Sequence, residues 1–131
     1  MTAFDIKITP DRLSERVIGA AVEVHRHLGP GLLESAYAGA MALELHTRRI
    51  DFSSEVLIPI HYKGTVLDPL MRLDLLVEGQ LVVELKAVDA TLPVHHAQVL
   101  TYLRVGNFQR GLLINFNVPL LRDGVRRLVC D

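Results

Sequence analysis

The sequence has little of what marks a secreted, disulfide-stabilised or membrane-spanning protein. It has no tryptophan, few aromatic residues (5%) and one cysteine, so the core must be aliphatic. Cys130 has no intramolecular disulfide partner, which fits a reducing compartment. No apolar run approaches the roughly 20 residues of a membrane span, and the N-terminus lacks a signal-like apolar segment. We therefore expect a cytoplasmic protein with no membrane partner, folded as a single domain over residues 1–131.

The formal net charge is −1, with 14 basic and 15 acidic residues. A protein that holds nucleic acid by a broad basic surface usually carries a positive excess. The charge therefore argues against tight nonspecific DNA binding, while half of the residues are hydrophobic, as in an ordinary globular protein.

Two helices are predicted in the first third of the chain. Residues 1–8 are expected to form an extended arm, and Thr9-Pro10 to start the first helix. Apolar residues at helical spacing give its buried stripe: Leu13, Val17, Ala20, Ala21, Val24 and Leu28. Gly29-Pro30-Gly31 ends it. The second helix is predicted over residues 32–49, with these residues buried: Leu33, Ala36, Ala40, Leu43 and Thr47.

Glu34 lies in the first turn of the second helix, on the same side as Tyr37. Acidic residues are favoured near helix N-termini, so Glu34 has a purely structural explanation in the helix dipole. A site carboxylate is the alternative.

The most informative stretch is residues 71–87, MRLDLLVEGQLVVELKA, in which charges interrupt two short apolar runs. An ionised side chain in a buried strand is costly unless it is paired or bound to a metal. Alternation predicts a hairpin with one wholly aliphatic face, and an opposite face that carries Asp74, Glu84 and Lys86.

A three-residue loop at Glu78-Gly79-Gln80 would bring Asp74 directly opposite Glu84. Cross-strand partners have Cβ atoms about 4.5–5.5 Å apart, so two ionised carboxylates there would repel each other. A divalent cation such as Mg²⁺, which proteins often hold by one or two carboxylates, would remove the repulsion. The alternative is a surface sheet in which Lys86 forms an ion pair with one acid.

The strand before this hairpin is predicted over residues 54–62, with Pro59 indicating an edge position or a bulge. A strand start at residues 65–67 is expected to be interrupted at Asp68-Pro69. A third helix over residues 93–105, capped by Thr91 or a neighbour, aligns three polar residues: His95, Gln98 and Tyr102. They form either a solvated face or one wall of a cleft. Strands are predicted over residues 110–116 and 125–129.

This pattern resembles the restriction-endonuclease-like, or PD-(D/E)XK, nuclease superfamily. Asp74 is followed ten residues later by Glu84-Leu85-Lys86, and residues 31–37 (GLLESAY) resemble the motif of the small bacterial GxxExxY proteins. The resemblance covers residues 11–129, although Leu73 stands where the superfamily name has proline. It implies an α/β (α+β) fold with an αβββαβ core, in which helices flank a mixed β-sheet.

The resemblance also implies a site and an activity, a Mg²⁺- or Mn²⁺-dependent nuclease that hydrolyses phosphodiester bonds in DNA. Asp74 and Glu84 would bind the metal, with Glu34 as an extra carboxylate and the Leu85 carbonyl as a further ligand. Lys86 would lie beside the attacking water. The third helix would contact substrate through Gln98 and Tyr102, and more weakly through His95.

Two other functions compete with the nuclease. An interaction module could retain the fold, act through protein partners and keep its acids for structure or metal binding; the near-zero charge and small size favour it. A homodimer could build a larger substrate groove. A small-molecule hydrolase has little support because the sequence has no nucleophile elbow and no catalytic cysteine setting.

Overall fold

A computed structural model describes the backbone of residues 10–130, and the side chains of residues 12–68 and 71–130. Within that range the order of helices and strands is the predicted one. The elements are α1 (Pro10–Leu28), α2 (Glu34–Thr47), β1 (Phe52–Tyr62), β2 (Thr65–Val77), β3 (Leu81–Lys86), α3 (Pro93–Gly106), β4 (Arg110–Asn115) and β5 (Val125–Val129), with a 3₁₀ turn at Leu121–Gly124 before β5. The predicted N-terminal arm and the Thr9 cap lie outside the described residues.

The first helix buries its predicted stripe except at the C-terminal end, where Leu28 is exposed. In α2 the predicted stripe is wrong. Leu33 is 78% exposed and Leu43 is also exposed, whereas Tyr37, Met41 and Leu45 are fully buried. This sequence, ESAYAGAMALELHT, has apolar residues on all sides. The helix pattern alone therefore does not select a buried face; Tyr37, Met41 and Leu45 fill the core, and Ala38 and Ala40 pack against its edge. Glu34 is exposed and lies at the start of the helix face that Tyr37, Met41 and Leu45 share.

The five strands form one mixed sheet in the order β1-β2-β3-β4-β5. The β3–β4 pair is parallel and the other pairs are antiparallel. Helix α3 connects β3 to β4, as a parallel connection requires. This arrangement confirms the predicted α+β core, in which a mixed sheet is flanked by helices.

The sheet has a hydrophobic core on each face. On one face α1 and α2 pack on Leu75, Val77 and Leu85. On the other, α3 packs on Met71 and Leu73 through Val99 and Leu103. The central strand β3 is buried on both faces, with all but its last residue buried.

The two cores correct the prediction that one hairpin face is wholly aliphatic and the other charged. Met71 and Leu73 pack on the α3 side, whereas Leu75 and Val77 pack on the α1–α2 side. Strict alternation would put all four on one side. The strand therefore changes face at Asp74, and β1 does so beside it, since Phe52 contacts the first core and Val56 the second.

Strand β1 is an edge strand, and its pairing with β2 is irregular between Ile58 and Ile60, at Pro59, as predicted. Three residues of β2, at positions 68–70, lie opposite Pro59 alone. The expected interruption at Asp68-Pro69 is thus a bulge within one long strand. No helix within residues 10–130 is long and apolar enough to cross a membrane.

Candidate active site

The site lies where β2 and β3 separate. Their backbones pair from Val77↔Leu81 to Leu75↔Val83, the register that the three-residue loop predicts. Asp74 and Glu84 come next on the two strands, so the structure does bring them opposite each other. From there β3 continues alone beside β4.

Side chains close the gap between the separating strands. The Asp74 backbone N–H donates to Glu84 Oε1 at 2.9 Å, and the Leu85 backbone N–H donates to Asp74 Oδ2 at 2.9 Å. Two carboxylate oxygens thus accept the bonds that backbone carbonyl oxygens accept in a regular antiparallel ladder. Each uses one oxygen in this exchange and has a second with which to bind a cation. The exchange fixes both carboxylates on rigid strands.

Burial makes this pair electrostatically costly. Glu84 is 4% exposed. Burial, and then the charge of Asp74, raise the pKa of Glu84 to about 8, whereas the Asp74 backbone hydrogen bond and Lys86 oppose the rise. A positive ion near both carboxylates would favour their ionised forms.

Lys86 follows Glu84 by two residues, at the C-terminal end of β3, and is half-buried. The Phe116 backbone N–H donates to the Lys86 carbonyl at 2.9 Å. Lys86 pairs in register with Asn115, whose amide donates to the Val88 carbonyl at 2.9 Å and accepts from the Val88 N–H at 3.0 Å. Asn115 therefore fixes the chain just after the lysine.

The structure explains the pattern Gly31…Glu34…Tyr37. Gly31 has φ +101°, which favours glycine, in the bend before α2. The Tyr37 hydroxyl donates to the Gly29 carbonyl at 2.6 Å and accepts from the Leu32 N–H at 3.2 Å. Its ring stacks on Phe116 at 4.5 Å between centroids. The tyrosine thus ties the bend to the core and fixes where α2, and with it Glu34, begins.

Glu34 lines a pocket of about 410 Å³ together with Asp74 and Leu85. The residue as a whole is exposed, but burial of its carboxyl group in this setting, followed by the charge of Asp74, raises the pKa of Glu34. The charges of Lys86 and Arg72 act in the opposite direction. The helix-dipole explanation is compatible with this position, but it does not account for the nearness of Asp74.

Tyr102 approaches the acids from α3, on the other side of the sheet. Burial, then the charges of Glu84 and Asp74, raise the pKa of Tyr102, and a hydrogen bond with Gln98 lowers it. Gln98 is therefore linked to Tyr102 by a hydrogen bond, and Tyr102 lies near both acids. His95 has a structural contact instead, because its Nδ1 accepts from the Leu92 backbone N–H at 3.0 Å at the start of α3. The N-cap is Leu92, the neighbour of Thr91.

Three residues near the site were not predicted from the sequence. Asn115 is a buried polar residue among apolar residues of its strand. The same feature, a polar residue in an apolar run, indicated Asp74 in the sequence. Arg72 and Glu55 line the same pocket as Glu34. Arg72 could have been noticed because it shares a strand with Asp74, two residues away. Glu55 had no sequence signal, because only the pairing of β1 with β2 brings it there.

The donor set suits a hard divalent cation. Two carboxylates and a backbone carbonyl are oxygen ligands, and Mg²⁺ commonly takes one or two carboxylates and completes its shell with water or phosphate. Within residues 10–130 no three His, Cys, Asp or Glu side chains form a ready-made metal cluster. Asp74 and Glu84 are held together by hydrogen bonds, whereas Glu34 lines the pocket beside Asp74.

A fold with a mixed sheet between helices and paired acids at separating strands defines a nuclease-like class of protein. The family model described as the PD-(D/E)XK nuclease superfamily matches residues 11–128. The chain belongs to this superfamily. This membership indicates a nuclease-type function and nucleic-acid binding, and nucleases of this superfamily generally use divalent metals.

Two other comparisons are less informative. A search of curated proteins found no match. Among solved structures, the one titled "Crystal structure of SSO0001" is similar at 18% identity with a TM-score of 0.44, over 88% of this chain and 75% of that chain. A likeness at this level supports no conclusion about function.

Proposed function

We propose that this protein is a Mg²⁺- or Mn²⁺-dependent nuclease that hydrolyses phosphodiester bonds in DNA, and that it is of the GxxExxY type. The observation that supports this most directly is the reciprocal hydrogen bonding of Asp74 and Glu84 across the separating strands. The exchange holds two acidic side chains at one point of a rigid sheet. Such preorganisation is what a metal-assisted displacement needs.

The other residues take the roles that the family resemblance implies. Asp74 and Glu84 would hold the ion, with the Leu85 carbonyl and Glu34 as further ligands. A bound divalent ion would polarise the phosphate and make water a better nucleophile. Lys86 would orient that water and offset phosphate charge. Gln98 would contact water or a substrate phosphate, supported by Tyr102, and His95 would have a lesser part in binding.

Cleavage assays test the proposal. We expect wild-type protein to cleave single-stranded, duplex or branched DNA, or RNA, in Mg²⁺ or Mn²⁺, and to lose activity in EDTA. Asp74→Ala and Lys86→Ala should each lower the rate by at least about a hundredfold, as the loss of groups central to catalysis does. Equal activity in all three proteins would identify a contaminant and reject the proposal.

The second candidate is an interaction module that acts through protein partners. Exposed apolar side chains on the β1–β2 hairpin, including Leu57, Tyr62 and Val66, favour it. Calorimetric titration with Mn²⁺ separates the two. The nuclease requires binding that Asp74→Ala abolishes, whereas no binding, or binding that the substitution leaves unchanged, supports the module. In either case we place the protein in the cytoplasm, where the lone thiol of Cys130 stays reduced. A homodimer would enlarge the substrate groove.

A further inference from the structure

The pocket beside Asp74 contains a cation that the nuclease motif does not include. Arg72 lines this pocket together with Glu34, Glu55 and Asp74. Among the described residues that line it, Arg72 alone carries a positive charge at neutral pH. A polyanionic substrate that enters here would meet three carboxylates and one guanidinium.

The change of face in β2 determines where Arg72 points. Met71 and Leu73 are buried against α3, so the side chain between them lies on the opposite side of the sheet. That is the side on which α2 presents Glu34. Arg72 pairs in register with Leu57 of β1, which is exposed. The guanidinium therefore lies over an open sheet surface that leads into the pocket.

Glu55 is the partner of Arg72 in the absence of substrate. Arg72 Nη1 lies 3.5 Å from Glu55 Oε1, and the two side chains are 60% and 72% exposed. A single long contact between exposed groups contributes at most about 1 kcal/mol. A phosphate, which accepts two hydrogen bonds from one guanidinium, is a stronger partner and would displace it.

The backbone of Glu55 is itself unusual. Its φ is +51°, in the left-handed region that non-glycine residues rarely adopt, and it lies in β1 beside Asp74. Such a conformation costs roughly 1–3 kcal/mol and is often found at functional sites. The left-handed backbone of Glu55 lies where both β1 and β2 change face. At this same point Asp74 faces Glu84 and Glu55 contacts Arg72.

We propose that Arg72 binds a backbone phosphate of the nucleic acid in this pocket, and that Glu55 occupies the guanidinium until the phosphate replaces it. The assignment rests on the proposed nuclease function. It makes Arg72 a substrate-binding residue and Glu55 a competitor for it. Burial and the charge of Asp74 raise the pKa values of Glu34 and Tyr102, and the charge of Arg72 opposes this rise in both groups.

Equilibrium binding tests the assignment. The probes are a fluorescein-labelled duplex of about 20 base pairs and its single strand, titrated in Ca²⁺ between about 50 and 200 mM KCl. Arg72→Ala should raise Kd about tenfold and make the log–log salt slope shallower by about 1. Arg72→Lys should recover part of the affinity. Glu55→Gln should lower Kd by up to about fivefold, because it removes the competing charge.

The matched control is Arg26→Ala. Arg26 is an exposed arginine paired with Glu23 at 2.8 Å on α1, outside the pocket, and its loss should leave Kd within about twofold. An equal effect of Arg26→Ala and Arg72→Ala would show a nonspecific charge effect and overturn the assignment. So would an unchanged Kd for Arg72→Ala, or weaker binding by Glu55→Gln.

Cleavage of the same duplex in Mg²⁺ separates this inference from the function on which it rests. If wild-type protein cleaves and Arg72→Ala binds normally, the Arg72 assignment fails alone. If binding depends on Arg72 but no ion supports cleavage, the nuclease proposal fails and the phosphate contact stands. If wild-type protein binds neither probe, both fail.

Discussion

At the scale of single residues, the site is defined by a carboxylate that is expensive to ionise. Glu84 is buried beside Asp74, and both acids accept hydrogen bonds from the backbone of the opposite strand. Among the described residues, no buried side-chain nitrogen or oxygen lacks a hydrogen-bond partner. The remaining cost is that of burying negative charge at Glu84 beside Asp74. A divalent cation bound to both carboxylates would offset it.

This cost predicts how stability depends on pH in the metal-free protein. The pKa of Glu84 is raised to about 8 when folded, so the folded state binds more protons than the unfolded state between about pH 4.5 and 8. Stability in EDTA should be fullest below that window and should fall by roughly 2–4 kcal/mol as pH rises through it. Urea denaturation at several pH values measures the change.

The conservative variant Glu84→Gln isolates the charge. The amide oxygen can still accept from the Asp74 N–H, but the group no longer titrates. We expect a flatter pH profile and a variant more stable than wild type at pH 8. Glu15→Gln, on the exposed side of α1, should keep the wild-type profile. A wild-type slope in Glu84→Gln would mean that another group titrates.

A second prediction concerns Tyr37, whose hydroxyl bonds to the Gly29 carbonyl and the Leu32 N–H. Tyr37→Phe keeps the stack on Phe116 but removes both bonds, so we expect a loss of about 1–2 kcal/mol in unfolding free energy. Tyr62→Phe, at an exposed position on the hairpin, should change it by less than about 0.5 kcal/mol. Equal effects would show that the Tyr37 bonds contribute nothing.

At the scale of elements, the fold was predictable where one periodicity dominates. Strand β3, the three-residue loop and the Asp74–Glu84 register follow from alternation and loop length. The orientation of α2 did not, because its sequence is apolar on all sides and only packing against the sheet selects Tyr37, Met41 and Leu45. The reversal of face at Asp74 also escaped prediction, since it coincides with a left-handed backbone at Glu55 that no periodicity in the sequence indicates.

Two glycines give a matched test of how tightly the elements pack. In α2, a Cβ on Gly39 would meet nothing within 4 Å, so Gly39→Ala should stabilise the protein by about 0.5–1 kcal/mol. A Cβ on Gly124, just before β5, would collide with the Asn115 carbonyl oxygen. Gly124→Ala should therefore destabilise by about 2–3 kcal/mol. Thermal unfolding should show a higher Tm for Gly39→Ala and a lower Tm for Gly124→Ala. A shift of Tm in the same direction for both variants would contradict the packing described for one of the two glycines.

At the scale of the whole molecule, the net charge and the fold favour opposite conclusions about nucleic-acid binding. The superfamily membership points to nucleic acid, yet the net charge is −1 and the pocket contains three carboxylates beside one arginine. A broad electrostatic attraction for phosphate is therefore missing. Binding has to come from a few local contacts and from a bound cation that reverses the charge of the site.

This balance predicts that DNA binding depends on divalent ions and only modestly on salt. In EDTA the acids repel phosphate, so affinity for the duplex should be at least about tenfold weaker than in Ca²⁺. In Ca²⁺ a footprint of two or three phosphates gives a log–log salt slope of about −2 to −3. Fluorescence anisotropy from about 50 to 200 mM KCl measures both quantities, and Asp74→Asn should lessen the difference between Ca²⁺ and EDTA. Tight binding in EDTA with a slope steeper than about −5 would instead require a broad basic surface, which this composition does not supply.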